Sequence, residues 1–267
     1  MRPASLLVAL LLAASSPLPA LDLADVKSRG TLRVLAVVGG SSNREFLNPS
    51  PAPGEPLGFD REILDGFAKL QRVRLEIVPI EQWDALIPAL QNGKGDVIAG
   101  RFTVTESRRK LIHFTSEVFP TRHVVFTRKP HRVVDSLDEL RQEKVGTVKG
   151  TSMAEVIAAA KLPPGNVDDT IRTGTLPEAL REGRITAAVL GVENVMSEQR
   201  RDPSLQLGMF LGPPGSLAYG VRKEDAQLLT ALNEYIDNLR RTPTWNRLVV
   251  SYFGERALDI LKRARGE

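Results

Sequence analysis

Apolar residues recur along this chain in two alternating rhythms. Leu32-Arg33-Val34-Leu35-Ala36-Val37-Val38 is a β-rich run that stops at Gly39-Gly40, and it predicts a buried strand. A loop rich in Pro, Ser and Asn is expected from Ser41 to Pro56. Asp60 then reads as the cap of a helix whose apolar positions, Ile63, Leu64, Phe67 and Leu70, keep helical spacing. Val73 to Val78 predicts a second strand. Trp83 to Gln91 predicts a short helix closed by Asn92-Gly93, with Pro88 tolerable only near its first turn. Val97 to Ala99 predicts a third strand. Strand, helix, strand, helix, strand points to a parallel sheet with helices on its faces.

The rhythm then repeats. Val124-Val125-Phe126 predicts a strand, and Ser136 begins a short helix, SLDELRQE. Val145-Gly146-Thr147-Val148 is a strand that runs into Gly150-Thr151-Ser152 and an Ala-rich helix. Thr175-Leu176-Pro177-Glu178 has the form of a capping box. Ile185 to Leu190 and Leu205 to Leu211 read as further strands, which places a second α/β unit at roughly 122 to 219. Asp225 to Arg241 is a long amphipathic helix with Leu228, Leu229, Leu232, Tyr235, Ile236 and Leu239 on one face. A further helix starts at Thr244, and the tail ERALDILKRARGE is again helical and amphipathic.

The first twenty residues break the rhythm. Arg2 precedes the apolar run Leu6 to Ala14, followed by Ser15-Ser16-Pro17-Leu18-Pro19-Ala20. A basic start, a short apolar core and a small-residue exit make a secretory leader, with cleavage expected after Ala20. The apolar run is too short to span a bilayer, which takes about 20 residues. The chain has no cysteine. It therefore carries no disulfide and no lipidated cysteine, and a free periplasmic protein stabilised by its own core is expected. The formal charge of +4 is a mild excess that is compatible with anionic ligands and names none.

The common catalytic constellations are missing. There is no cysteine nucleophile or zinc cluster, no GxSxG elbow and no Walker loop. His113, His123 and His131 match no ligand spacing; His123 and His131 read as surface residues and His113 as structural. No metal or cofactor is expected. Basic clusters are dispersed and aromatic residues are only 5%, so no stacking platform for single strands is suggested and nucleic acid is not an expected partner.

What remains is anion-friendly. In Gly95 to Lys110, GDVIAGRFTVTESRRK, a buried strand delivers Arg101, Thr103, Thr105, Ser107, Arg108 and Arg109 to one spot. Such a cluster beyond a strand end can hold a small carboxylate or phosphate, or it can be a solvated loop. Gly150-Thr151-Ser152 sits where a strand meets a helix, a natural anion site or a plain capped start.

The order of segments settles which reading to follow. LGFDREILDGFAK, EQWDALIPALQNGKGDVIAGRFTVTESRR, HFTSEVF, VGTVKGTS, LREGRITAAVL, YGVRKED and RTPTWNRLVVSYFG together closely resemble the periplasmic solute-binding proteins of amino-acid ABC transporters, solute-binding family 3. The resemblance covers nearly all of the chain after the leader. It implies an α/β fold of the type II periplasmic binding class: two Rossmann-like lobes joined by two hinge strands. Lobe 1 is expected to comprise 22–121 plus 220–267, and lobe 2 to comprise 122–219. It implies a monomer that captures an amino acid or related small carboxylate for a membrane permease, without catalysis.

The resemblance also assigns residues. Arg108, after Thr105, matches the carboxylate-binding arginine, and Thr103 matches the donor before it. Gly150, Thr151 and Ser152 match the second lobe's Gly-Thr-Thr/Ser element. Trp83 matches a pocket residue beside the ligand side chain, although core packing accounts for it equally well. Two departures stand out. The family's ammonium-binding aspartate aligns with Gly191, with Glu193 two positions on, so that either Glu193 substitutes or the ligand has no ammonium there. Arg101 replaces a small residue, where it favours an extra negative group or fills the cleft. The nearest candidate for the usual aromatic after the first strand is Phe46. Two alternatives share the fold. A cyclohexadienyl dehydratase-like enzyme would need a glutamate where Asn194 stands, and a ligand-sensing partner of a membrane receptor would need only the binding site.

Overall fold

The computed structural model describes residues 22–38, 41–255 and 257–266; the expected leader and its cleavage site lie outside them. Among the described residues ten strands form two sheets. In chain order they are β1 (Thr31–Val37), β2 (Arg74–Ile80), β3 (Val97–Ile98), β4 (His113–Phe114), β5 (Phe119–Arg128), β6 (Val145–Gly146), β7 (Val167–Asp168), β8 (Ala187–Gly191), β9 (Leu205–Leu217) and β10 (Gly220–Val221).

The first sheet has the order β2-β1-β3-β10-β4 and the second β7-β6-β8-β5-β9. Strands joined through helices run parallel: β1 with β2 and β3, β6 with β7 and β8. The strands where the chain passes between sheets run antiparallel. The chain leaves the first sheet after β4, enters the second at β5, and returns from β9 to β10. β5 and β9 pair along most of their length, from Phe119 against Leu217 to Arg128 against Leu205, with register shifts beside His123 and Val124. Two crossing strands thus tie one sheet to the other.

The cores follow from the apolar runs. Leu32, Val34, Leu35 and Ala36 of β1 are fully buried, as expected for a parallel strand covered on both faces. The C-terminal helices Ala226–Arg240 and Pro243–Phe253 bury Leu228, Leu232, Ile236, Val249 and Phe253. They pack on the helix Phe59–Leu70, where Tyr235 meets Phe67 at 5.7 Å. Phe46, Phe59, Phe119 and Phe253 form one aromatic cluster with centroids 4.9–6.0 Å apart. Among the described residues no helix is long and apolar enough to cross a membrane.

Three local expectations are corrected. The loop expected from Ser41 begins instead with a helix, Ser41–Phe46, because burial of Phe46 and Leu47 outweighs the weak helix propensity of Ser and Asn. Asp60 does not cap its helix. The cap is Gly58, and Asp60 lies in the first turn with its side chain buried elsewhere. Thr175 makes no capping bond; its hydroxyl donates to the Arg172 carbonyl at 3.0 Å.

Candidate functional site

Parallel strands place their C-terminal ends along one rim of each sheet, and small molecules bind beyond those ends. Every sequence-predicted site residue follows such an end. Trp83 comes after β2, Arg101, Thr103 and Arg108 after β3, Gly150 to Ser152 after β6, and Glu193 directly after β8. The two rims face each other across a cleft of about 760 Å³ with its mouth included. Trp83, Arg101, Thr103, Arg108, Thr151, Ser152 and Glu193 all line it.

Arg108 sits at the lobe junction. Thr105 caps the short helix Glu106–Arg109 and accepts from the Arg108 amide at 3.3 Å, which turns the side chain inward. Its guanidinium lies over the Phe102 ring, 4.1 Å from the centroid. One Nη donates to the Thr103 carbonyl at 2.8 Å and the other to the Gly150 carbonyl at 3.0 Å, across the cleft. A guanidinium has five N–H donors, so these two bonds leave capacity for a carboxylate. Burial lowers its pKa to about 10, opposed by Glu155, and the group stays cationic.

The second lobe closes against it. Thr151 caps the helix Ser152–Ala159, accepting from the Ala154 amide at 3.3 Å while donating to the Val148 carbonyl at 2.6 Å. Its hydroxyl is therefore committed to the turn, and Ser152 carries the hydroxyl that faces the first lobe. Ser152 Oγ lies 3.1 Å from Thr103 Oγ1 and 2.9 Å from His123 Nε2. Gly150 has φ +74°, and a Cβ there would meet the Asp84 backbone nitrogen at 2.8 Å. Gly150 thus permits close approach of the two lobes. Trp83 serves both readings: it is only 9% exposed within a core that includes Leu35 and Ile98, and it also lines the cleft.

His123 departs from the expected surface position. It lines the cleft, and burial drops its pKa to about 4, so it is neutral at pH 7. Its place at the register shift of β5, opposite Gly191 of β8, turns it inward. His131, in contrast, pairs with Glu143 at 2.8 Å outside the cleft, and His113 is exposed on β4.

Glu193 fills the space above Gly191. A Cβ built on Gly191 would lie 2.0 Å from Glu193 Oε1 and 2.7 Å from Oε2. Glu193 is 2% exposed. Its Oε2 accepts from Thr121 at 2.5 Å and its Oε1 from the Asn194 amide at 3.0 Å. Burial raises its pKa, opposed by the Thr121 bond and by the charge of Arg101. Asn194 also lines the cleft, and its Oδ1 is buried without a partner.

Arg101 has φ +64°. Its guanidinium carbon stands 5.7 Å from the Phe46 centroid and 6.0 Å from that of Trp83. Asp60, absent from the sequence-predicted set, holds this turn: its Oδ2 accepts from the Gly100 amide at 3.1 Å and the Arg101 amide at 3.2 Å, and its Oδ1 from the Tyr219 hydroxyl at 3.1 Å. An acid at the second position of an amphipathic helix gives no sequence sign of such a distant partner. Among the described residues no group of three His, Cys, Asp or Glu side chains is placed to hold a metal.

Comparison with known proteins agrees with this geometry. A probable histidine-binding protein from Neisseria gonorrhoeae is 25% identical over 223 residues, 80% of this chain and 82% of that protein. A membrane-bound lytic murein transglycosylase F from Pseudomonas fluorescens is 29% identical over 243 residues, 88% of this chain and 48% of that protein; the chain spans about half of that relative. The crystal structure of a mutant ArgBP from T. maritima superposes with a TM-score of 0.77 at 26% identity, covering 87% of this chain and 99% of that one. The sequence profile of one family matches residues 37–255. With that match and two facing α/β sheets, the chain belongs to the bacterial extracellular solute-binding proteins, family 3.

Proposed function

We propose that this chain captures an amino acid or a related small carboxylate in the cleft and delivers it to the membrane permease of an ABC transporter. In this reading, lobe 1 is 22–121 plus 220–267 and lobe 2 is 122–219. The protein works as a monomer in the periplasm, exported by a leader ending near Ala20. Arg108 receives the carboxylate, with Thr103 and Ser152 beside it. Glu193 receives the ammonium, and Trp83 and Arg101 border the ligand's side chain.

The observation that carries this reading is the carboxylate of Glu193 lying over Gly191. The aspartate expected at 191 is missing, yet a carboxylate stands where its side chain would begin, and the missing Cβ makes room for it. A buried carboxyl group bonded to Thr121, Asn194 and its own backbone amide retains acceptor capacity for a ligand cation, and a cation beside it favours its charged form. The dehydratase-like alternative lacks its acid, because Asn194 presents an amide that donates to Glu193.

A thermal-shift and calorimetric screen against the standard amino acids, dicarboxylates and prephenate tests this. A ligand at ~100 times its dissociation constant stabilises the native state by about 2.7 kcal/mol. Glu193→Gln removes a charge-assisted bond of about 1.5–3 kcal/mol, so affinity for the hit should fall roughly 10- to 100-fold. Arg108→Ala should weaken it at least as much. A hit whose affinity is indifferent to both changes, or turnover of prephenate, overturns the reading.

A further inference from the structure

Resting on that reading, we propose that Arg101 makes the cleft selective for an amino acid with an acidic side chain and closes it to basic ones. The Arg101 guanidinium has a buried donor with no acceptor. Its Nε is buried without a hydrogen-bond partner, and among the described residues no carboxylate lies within ion-pair distance of it. The rings of Phe46 and Trp83 orient the group, but ring faces offer no lone pairs to its N–H donors.

Four carboxylates, those of Glu193, Asp60, Glu198 and Glu45, stabilise its charge from farther away. Each has other partners. Glu193 is bonded to Thr121 and Asn194, and Asp60 to two amides and Tyr219. Glu198 pairs with Arg201, and Glu45 with Arg200 and Arg201. The neutral His123 supplies no charge to the cleft.

Charge matching then limits the ligand. An α-carboxylate answers Arg108 and an α-ammonium answers Glu193, which leaves Arg101 facing the cleft beside Trp83. A second carboxylate on the ligand supplies the missing acceptor, and a planar guanidinium is suited to receive it. The same cation lies against both aromatic rings and repels a second cation brought into the cleft beside it. The placement is held against a conformational cost, since a non-glycine residue at positive φ is strained, and Asp60 holds it. Selectivity here is built as much from exclusion as from attraction.

The test compares L-glutamate with L-glutamine, near-isosteres that differ in one charged group, together with L-aspartate and L-arginine. Binding is measured by titration calorimetry on the parent, Arg101→Gln and Arg101→Gly. Glycine suits the positive φ, so the Gly variant keeps the backbone, while the Gln variant keeps the bulk. The parent should bind glutamate or aspartate at least about tenfold tighter than the matching amide and show no arginine binding in the same range. Both variants should bring the acid-to-amide ratio close to one, and Arg101→Gly should admit arginine. A parent that prefers the amide or arginine, or a ratio unchanged in both variants, overturns the proposal and leaves amino-acid capture standing. A parent that binds no amino acid in an Arg108-dependent way overturns both.

Discussion

At Arg101 the backbone takes a conformation that costs a residue with a Cβ about 1–2 kcal/mol, and the Asp60 carboxylate offsets that cost by accepting from the amides of both Gly100 and Arg101. The carboxylate is buried to do so. Burial raises its pKa to about 6, against the pull of those amides and of Tyr219. The sign of the pH effect follows. Between about pH 4 and pH 6 the native state holds a proton at Asp60 that the unfolded chain has lost, so this residue's contribution to stability falls as pH rises through that window. The size is on the order of 3 kcal/mol. Asp60→Asn keeps an acceptor for the two amides and a donor for Tyr219 but cannot titrate. In urea unfolding at pH 4, 5, 6 and 7, the stability gap should move in favour of the variant as pH rises. Other titrating carboxylates cancel in that difference. A gap that stays constant with pH would show that Asp60 is ionised throughout.

The junction of β8 with the helix Val192–Arg201 is the element on which the ligand reading turns. Gly191 has φ −65°, a conformation open to any residue, so glycine is required there for space and not for flexibility. Gly191→Ala should fold normally by circular dichroism. Its Cβ would displace the Glu193 carboxylate, and ligand affinity should drop at least about tenfold. The double change Gly191→Asp with Glu193→Ala should recover part of it by returning the acid from position 191. Failure of Gly191→Ala to weaken binding would remove Glu193 from the ammonium site. The same junction marks how far sequence reaches. Thr105-x-x-Arg108 and Gly150-Thr151-Ser152 are legible through the family resemblance, and local capping by Thr105 and Thr151 then fixes where the chain turns. Glu193 could be named as a substitute but not placed, since its position depends on Thr121 from β5. Asp60, His123 and the helix Ser41–Phe46 escape local sequence for a related reason: each is governed by partners distant in sequence, Tyr219, Ser152 and the Phe119–Phe253 cluster.

Across the whole molecule the two lobes are drawn together on both sides of the cleft. On one side Arg108 donates to the Gly150 carbonyl and Ser107 Oγ donates to Glu155 at 2.8 Å. On the other, Glu45 pairs with Arg200 at 3.3 Å and Arg201 at 2.8 Å, and Arg200 also donates to the Tyr252 carbonyl at 3.1 Å. These contacts favour the closed arrangement before ligand contributes anything, and a ligand that touches both lobes shifts the population further. Exposed pairs of this kind are each worth about 0–1 kcal/mol and are screened by salt. Glu45→Gln should therefore weaken ligand binding only severalfold, because it removes a bias toward closure and no ligand contact. The ligand-free variant should have a larger radius of gyration by small-angle scattering than the ligand-free parent, and the two should converge once saturated. Parent affinity should fall between roughly 50 mM and 500 mM salt more steeply than that of the variant, since the screened pair is the one removed. Equal radii without ligand, together with equal salt slopes, would show that the Glu45 pairs contribute nothing to closure and leave it to the other contacts between the lobes and to the ligand.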